Sequence, residues 1–354
     1  MNNKFQGTGV ALVTPFTKDG AIDYPALAKL VEYVIENKVD FLVALGTTAE
    51  TPTLSTEEKQ AVLRFVIQQN NKRVPLVCGA GGNNTAAVLQ QLQTWDWNGV
   101  DGLLSVVPYY NKPTQEGIYQ HFKAIASATP LPIILYNVPG RTVTNMLPAT
   151  TLRLAQEFKH IVAVKEASGN MAQCMELVQG AAADFAVLSG DDDLVLPQMA
   201  IGMHGVISVA ANCFAKDFSQ MVLLARQGQF EAAKGLHYRL LKGINLLFAE
   251  GNPAGVKCVL QEMGIMQDTL RLPLVNVSAA TQTQIQDYFK SKEIPEPREF
   301  NEFANQKRKY YSDPKFKKWF GDSKVVNKDG QPLVAFHSTD KDFSEFNVGR
   351  DKSS

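Results

Sequence analysis

Lys165 closes the run Ile161-Val162-Ala163-Val164, which is apolar enough to be a strand buried on both faces. An unpaired ammonium inside a fold is costly, and a lysine held there tends to give up its proton. The neutral amine is a nucleophile that can form a Schiff base with a carbonyl. Tyr136, at the end of PIILY, can pass protons while a carbinolamine forms and dehydrates. Thr47 and Tyr110 can extend that route towards solvent by hydroxyl-to-hydroxyl hydrogen bonds. Arg141 offers a planar fork for one carboxylate, and Thr48 with nearby backbone N–H groups could hold a second.

Each residue also has a plain structural reading. A lysine at a strand end can snorkel to water or pair with an acid. Glu166 is no obvious partner, because adjacent strand residues point to opposite faces. Tyr136 could be a core tyrosine with a satisfied hydroxyl, Tyr109-Tyr110 an interface pair, and Arg141 a surface charge. Asp191-Asp192-Asp193 could suggest a hard metal, but an acid-rich helix start explains it as well. The five histidines form no HxxH or HxH cluster, so no metal site is expected.

These residues need elements to bring them together. Eight short apolar runs recur, at 9–14, 40–45, 74–79, 101–107, 132–136, 161–165, 185–189 and 204–209. Amphipathic stretches separate them, for example 24–37, 56–69 and 115–128. Ser55 is a natural N-cap for the second, with Glu57 and Glu58 in its first turn. Continuous rather than alternating apolar strands, each followed by a helix, predict a parallel sheet covered on both sides. Eight such units predict a (β/α)8 TIM barrel over residues 1–228. An open doubly wound sheet is the alternative, but VTPFTKDG follows the first strand where a Gly-rich turn would be wanted. GAGGNN at 79–84 lacks the lysine and Ser/Thr of a P-loop. Barrel chemistry sits at the carboxyl ends of the strands. There the chain places Thr47-Thr48, Tyr109-Tyr110, Tyr136, Lys165, Ser189-Gly190 and Ile207-Ser208.

After residue 228 the pattern turns purely helical, at 229–249, roughly 253–263 and 278–290, which predicts a C-terminal helical region over 229–294. PEPREF at 295–300 breaks it, and residues 295–354 are expected to be a linker and a truncated or partly disordered appendage.

The 354 residues are 45% hydrophobic with a formal net charge of +0, so nothing general argues for nucleic acid or an anionic membrane. No apolar run is long enough to span a bilayer, and no signal peptide is evident. Four cysteines without CxxC spacing suggest neither zinc nor a disulfide framework, and a reducing cytoplasm is expected.

GTTAETPTL (46–54), PYYNKPTQEG (108–117), LYNVPGRT (135–142), VAVKEASGN (162–170), LSGDD (188–192) and GVISV (205–209) together resemble the dihydrodipicolinate synthase/N-acetylneuraminate lyase family, over residues 5 to about 293. The resemblance implies a class I aldolase-type lyase in lysine and diaminopimelate biosynthesis. Its implied reaction condenses pyruvate with L-aspartate 4-semialdehyde, giving 4-hydroxy-tetrahydrodipicolinate and water. It implies an imine between pyruvate and Lys165 and no separate cofactor. Tyr136, Thr47 and Tyr110 would form the proton relay, with Tyr110 reaching in from a neighbouring subunit. Arg141 would bind the aldehyde's carboxylate, Thr48 and the backbone of Ile207 the pyruvate carboxylate, and Gly190 would line the pocket. A homo-oligomer, a dimer of dimers, is implied. LYNVPGRT with its arginine fits the synthase branch better than the sialate lyase branch.

Two departures stand out. Ala49 replaces the glycine the family commonly carries, so that position is expected to be αR or extended. In feedback-sensitive relatives a cleft at the dimer interface holds lysine through histidine and glutamate. The matching positions here are Thr56, Lys59 and Ala87, beside the retained Asn83 and Tyr109. Weak or absent lysine inhibition is expected. FKKWFGDSKVVNKDGQPLVAFHST, with His337-Ser338-Thr339, resembles the start of ADP-ribosyltransferase-like domains from phage polyvalent proteins. No transferase activity is expected of it. A competing view makes the barrel an inert platform and this basic, aromatic tail a nucleic-acid or interaction module.

Overall fold

The computed structural model describes residues 4–291. The linker, appendage and ADP-ribosyltransferase-like segment expected over 295–354 lie outside them.

Eight parallel strands close into a barrel in chain order. They are β1 (Gly7–Ala11), β2 (Phe41–Ala44), β3 (Leu76–Gly79), β4 (Gly102–Val106), β5 (Ile133–Asn137), β6 (Ile161–Glu166), β7 (Ala186–Ser189) and β8 (Gly205–Ser208). The (β/α)8 expectation is met. Helices follow where the 3.6-residue pattern predicts them, at Tyr24–Glu36, Thr56–Asn70 and Gln115–Ala128 among others. Ser55 caps the second as expected: its hydroxyl accepts from Glu58 N while the Glu58 carboxylate accepts from Ser55 N.

Apolar side chains divide between two layers, because successive residues of a strand face opposite ways. Inward-facing Phe41, Val43, Val77, Ile134, Ala163, Leu188 and Ile207 fill the barrel, while the outward set packs against the helices. Every strand is therefore buried on both faces, which is why its sequence runs apolar without alternation.

Seven strands fall within two residues of the expected positions. β1 differs at both ends, occupying 7–11 instead of 9–14. Leu12 N still donates to Val43 O at 3.0 Å, and beyond Leu12 the chain leaves the ladder. Val13 N donates to the Asn212 side chain at 3.3 Å, and the Thr14 hydroxyl donates to Ala49 O at 2.8 Å. Side-chain partners at the mouth replace strand pairing there.

Past the barrel lie the helices Phe230–Phe248, Ala254–Glu262 and Ala279–Lys290. The corner between the first two is buried from Asn252 onward and packs against the loop after β2. Among the described residues no helix is long and apolar enough to cross a membrane.

Candidate active site

β5 and β6 place Tyr136 opposite Lys165 in register, so both side chains point into the barrel mouth. Lys165 is 5% exposed and Tyr136 6%. The lysine Nζ stands 4.4 Å from the centre of the tyrosine ring.

Glu166 and Asn137, one residue further along the same strands, face outward. The Glu166 carboxylate accepts from Asn137 Nδ2 at 3.1 Å, from Gln173 Nε2 at 2.9 Å and from Ser168 N at 2.9 Å. Burial pushes its carboxyl up, and these hydrogen bonds work against that. Asn137 Oδ1 in turn accepts from Met146 N at 2.9 Å. This buried cluster ties the ends of β5 and β6 together behind the pair that faces the mouth. The expectation that Glu166 does not serve Lys165 holds.

Gly190, just beyond β7, donates from its backbone to Glu166 O at 2.7 Å. A Cβ there would lie 2.4 Å from Ala167 Cβ and 3.0 Å from Lys165 Cε. The missing side chain leaves room chiefly for Ala167 and, more narrowly, for the lysine stem.

The loop after β2 makes tight turns at Thr47–Ala49 and Thr51–Thr53, with left-handed conformations at Leu45, φ 56°, and at Glu50, φ 53°. Ala49 has no positive φ, as expected. Thr48 is buried, and its Oγ1 accepts from Asn252 Nδ2 at 3.1 Å. Thr47 and Tyr136 line one cavity of about 470 Å³, which continues past Thr56, Lys59 and Ala87 to Tyr109. Arg141 is exposed, with Nη2 3.4 Å from Asn252 O. Ile207 lies on β8 with its side chain in the interior layer.

Tyr110 is not brought to this site. It is 87% exposed, sits at φ 73° and does not line the cavity. Its loop is nonetheless well held. Asn83 Nδ2 donates to Tyr109 O at 3.1 Å and Asn111 Nδ2 to Asn83 O at 2.8 Å.

The three aspartates divide their roles. Asp192 is buried and accepts from Val209 N at 3.0 Å and Ala210 N at 2.8 Å, shaping the end of β8. Burial pushes the Asp191 carboxyl up to about 6, with Gly169 N donating to it at 3.2 Å. Asp193 is exposed.

The sequence reading did not single out a second buried lysine. Lys257 pairs with Glu50 at 2.5 Å, both side chains 0% exposed, and also donates to Thr269 O at 2.9 Å. Arg271 N donates to Glu50 Oε2 at 3.1 Å. A lysine inside the apolar run GVKCVL was the available signal.

Known proteins match this arrangement. The Dihydrodipicolinate synthetase family matches residues 4–292. The chain belongs to that family. A 4-hydroxy-tetrahydrodipicolinate synthase from Flavobacterium psychrophilum is 54% identical over 274 residues, which is 77% of this chain and 94% of the relative. One from Parabacteroides distasonis is 51% identical over 289 residues, covering 82% and 97%. Among solved structures, the chloride-inhibited dihydrodipicolinate synthase from Acinetobacter baumannii complexed with pyruvate superposes with a TM-score of 0.79 at 42% identity. That superposition covers 82% of this chain and 99% of that one.

Proposed function

We propose that this family member condenses pyruvate with L-aspartate 4-semialdehyde to give 4-hydroxy-tetrahydrodipicolinate and water, as a class I lyase of lysine and diaminopimelate biosynthesis. The observation that carries the reading is a lysine buried at the carboxyl end of a closed barrel, in register with a tyrosine that faces the same mouth.

Lys165 Nζ attacks the pyruvate ketone carbon, and the resulting carbinolamine loses water to become an imine. Loss of a proton from the methyl carbon gives an enamine, which adds to the aldehyde carbon of the second substrate. The substrate's own amine then displaces Lys165 by attacking the imine carbon, which closes the ring and regenerates the free lysine. Proton transfers accompany carbinolamine formation, dehydration and enamine formation. Tyr136 stands beside the reacting nitrogen and moves those protons, with Thr47 beyond it in the same cavity. Thr48 and the backbone of Ile207 hold the pyruvate carboxylate, Arg141 holds that of the aldehyde, and Gly190 leaves room for the lysine. The covalent imine is the only cofactor-like group required.

Tyr110 completes the relay from a second copy. Its loop is pinned by Asn83 and Asn111 yet presents the ring outward, at a φ that is costly for a bulky residue. A homo-oligomer, a dimer of dimers, is the assembly this reading requires in its fullest form. All four cysteines are free and buried, in keeping with a cytoplasmic enzyme.

Borohydride reduction with pyruvate tests the mechanism. The peptide containing Lys165 should gain a reduced pyruvate adduct, and Lys165→Ala should gain none. A modified lysine elsewhere, with Lys165 untouched, would sink it. A panel of aspartate semialdehyde, N-acetylneuraminate and 2-keto-3-deoxy sugar acids tests the substrate assignment.

A further inference from the structure

Asn252 sits at the buried corner between Phe230–Phe248 and Ala254–Glu262, far in sequence from the barrel strands. It touches two residues to which the proposed function gives a carboxylate. Its side-chain Nδ2 donates to Thr48 Oγ1 at 3.1 Å, and its backbone carbonyl lies 3.4 Å from Arg141 Nη2. The other end of the same amide, Oδ1, is buried with no hydrogen-bond partner among the described residues.

We infer that Asn252 is a positioning residue for pyruvate, one that commits the Thr48 hydroxyl to donating its proton to the substrate carboxylate. The inference rests on the functional reading above.

A threonine hydroxyl has one proton and two lone pairs, and its rotor turns to suit its neighbours. Beside an acceptor it would spend the proton inside the protein. Beside an amide N–H it accepts, and its own proton remains for the ligand. A carboxylate needs donors, so the direction of this one hydrogen bond decides whether Thr48 can serve.

The orphaned Oδ1 points the same way. Among the described residues the amide's side-chain hydrogen bond is therefore the one its N–H makes with Thr48. The corner is firmly placed for the task. Three residues after Asn252, Gly255 approaches Leu247 so closely that a Cβ would lie 2.3 Å from the Leu247 carbonyl oxygen. Five residues on, Lys257 pairs with Glu50, in the same loop as Thr48. Two ties therefore join one corner to one loop, and of the two Asn252 alone reaches a substrate-binding group.

The half-reaction with pyruvate isolates the effect. Borohydride trapping at Lys165 is followed against pyruvate concentration without aldehyde, alongside full kinetics on the complete chain. In Asn252→Leu the pyruvate concentration for half-maximal trapping should rise about tenfold, the worth of one hydrogen bond. The KM for the aldehyde should stay within about twofold, because the backbone carbonyl facing Arg141 remains. Asn252→Asp, nearly the same shape, should weaken pyruvate binding at least as much, since its carboxylate takes the Thr48 proton. In a Thr48→Val background, Asn252→Leu should cost little more. Equal losses with and without Thr48 would overturn the inference, as would normal pyruvate dependence in a folded Asn252→Asp. Should Asn252→Leu fail to fold, the Asp variant carries the same comparison. Failure of the parent chain to trap pyruvate at Lys165 would instead sink the functional reading, and this inference with it.

Discussion

Tyr136 and Lys165 are register partners on adjacent parallel strands, and the lysine nitrogen lies 4.4 Å from the centre of the tyrosine ring. On the proposed function the ring packs while the hydroxyl moves protons, so the two roles can be separated. Tyr136→Phe should leave the melting temperature nearly unchanged while lowering turnover by about 10²–10⁴-fold. Turnover within a few-fold of the parent would remove the tyrosine from the relay.

Gly190 leaves room for the lysine stem. Gly190→Ala must displace Ala167 or Lys165, with contacts of 2.4 and 3.0 Å as the starting point. Overpacking of this kind costs about 1–3 kcal/mol. Imine formation should slow by at least about tenfold, because the nucleophile is the more mobile neighbour. Urea unfolding and pre-steady-state trapping measure the two effects separately.

The Glu50–Lys257 pair is fully buried, so removing one partner strands the other. Lys257→Met should destabilise by about 3–5 kcal/mol, read by chemical denaturation. Adding Glu50→Leu should recover much of that stability. Failure of the double variant to improve on the single one would show that the ion pair is not what holds the corner.

Acid should weaken the fold through His121 and Glu58. Burial lowers His121 from 6.5 to about 4, so it stays neutral in the fold while the unfolded chain takes up a proton. The hydrogen bonds from Arg271 lower Glu58 from 4.5 to about 2, so it stays ionised in the fold after the unfolded chain has been neutralised. Both depressed values mean stability present at neutral pH and lost on acidification, over about pH 6.5 to 4 for the histidine and 4.5 to 2 for the glutamate. Each group contributes at most about 1.4 kcal/mol per pH unit within its window. Denaturant midpoints between pH 7 and pH 4 should fall less steeply in His121→Asn.

L-Lysine should be a poor inhibitor. In the cavity running from Thr47 and Tyr136 past Thr56 and Ala87, Lys59 supplies the single charge among the lining residues. An ammonium-bearing ligand would meet a cation and no acid there. Low-millimolar lysine should leave turnover within about twofold of the uninhibited rate, whereas an ordinary saturating inhibition curve would refute this.

The barrel was legible in the sequence because burial on both faces leaves an unbroken apolar run for each strand. Lys165 stood out for the same reason, as a charge ending such a run. β1 was misplaced because the residues after Leu12 look like strand but bond to Asn212 and Ala49 instead. Tyr110 could be picked out by type and by the resemblance, and its exposure shows that it turns away from its own barrel. Asn252 and Lys257 stayed hidden because local periodicity reports that a helix is buried, not what it is buried against. Their partners lie about two hundred positions earlier, beyond the reach of any spacing rule.

That separation has a consequence for how the molecule is made. Thr48 leaves the ribosome early and Asn252 late, 204 positions further on. A growing chain that has just completed its eighth strand already holds Lys165 and Tyr136, but its Thr48 still lacks the contact from Asn252. The ties between the loop after β2 and the C-terminal corner thus wait for the arrival of the final helices.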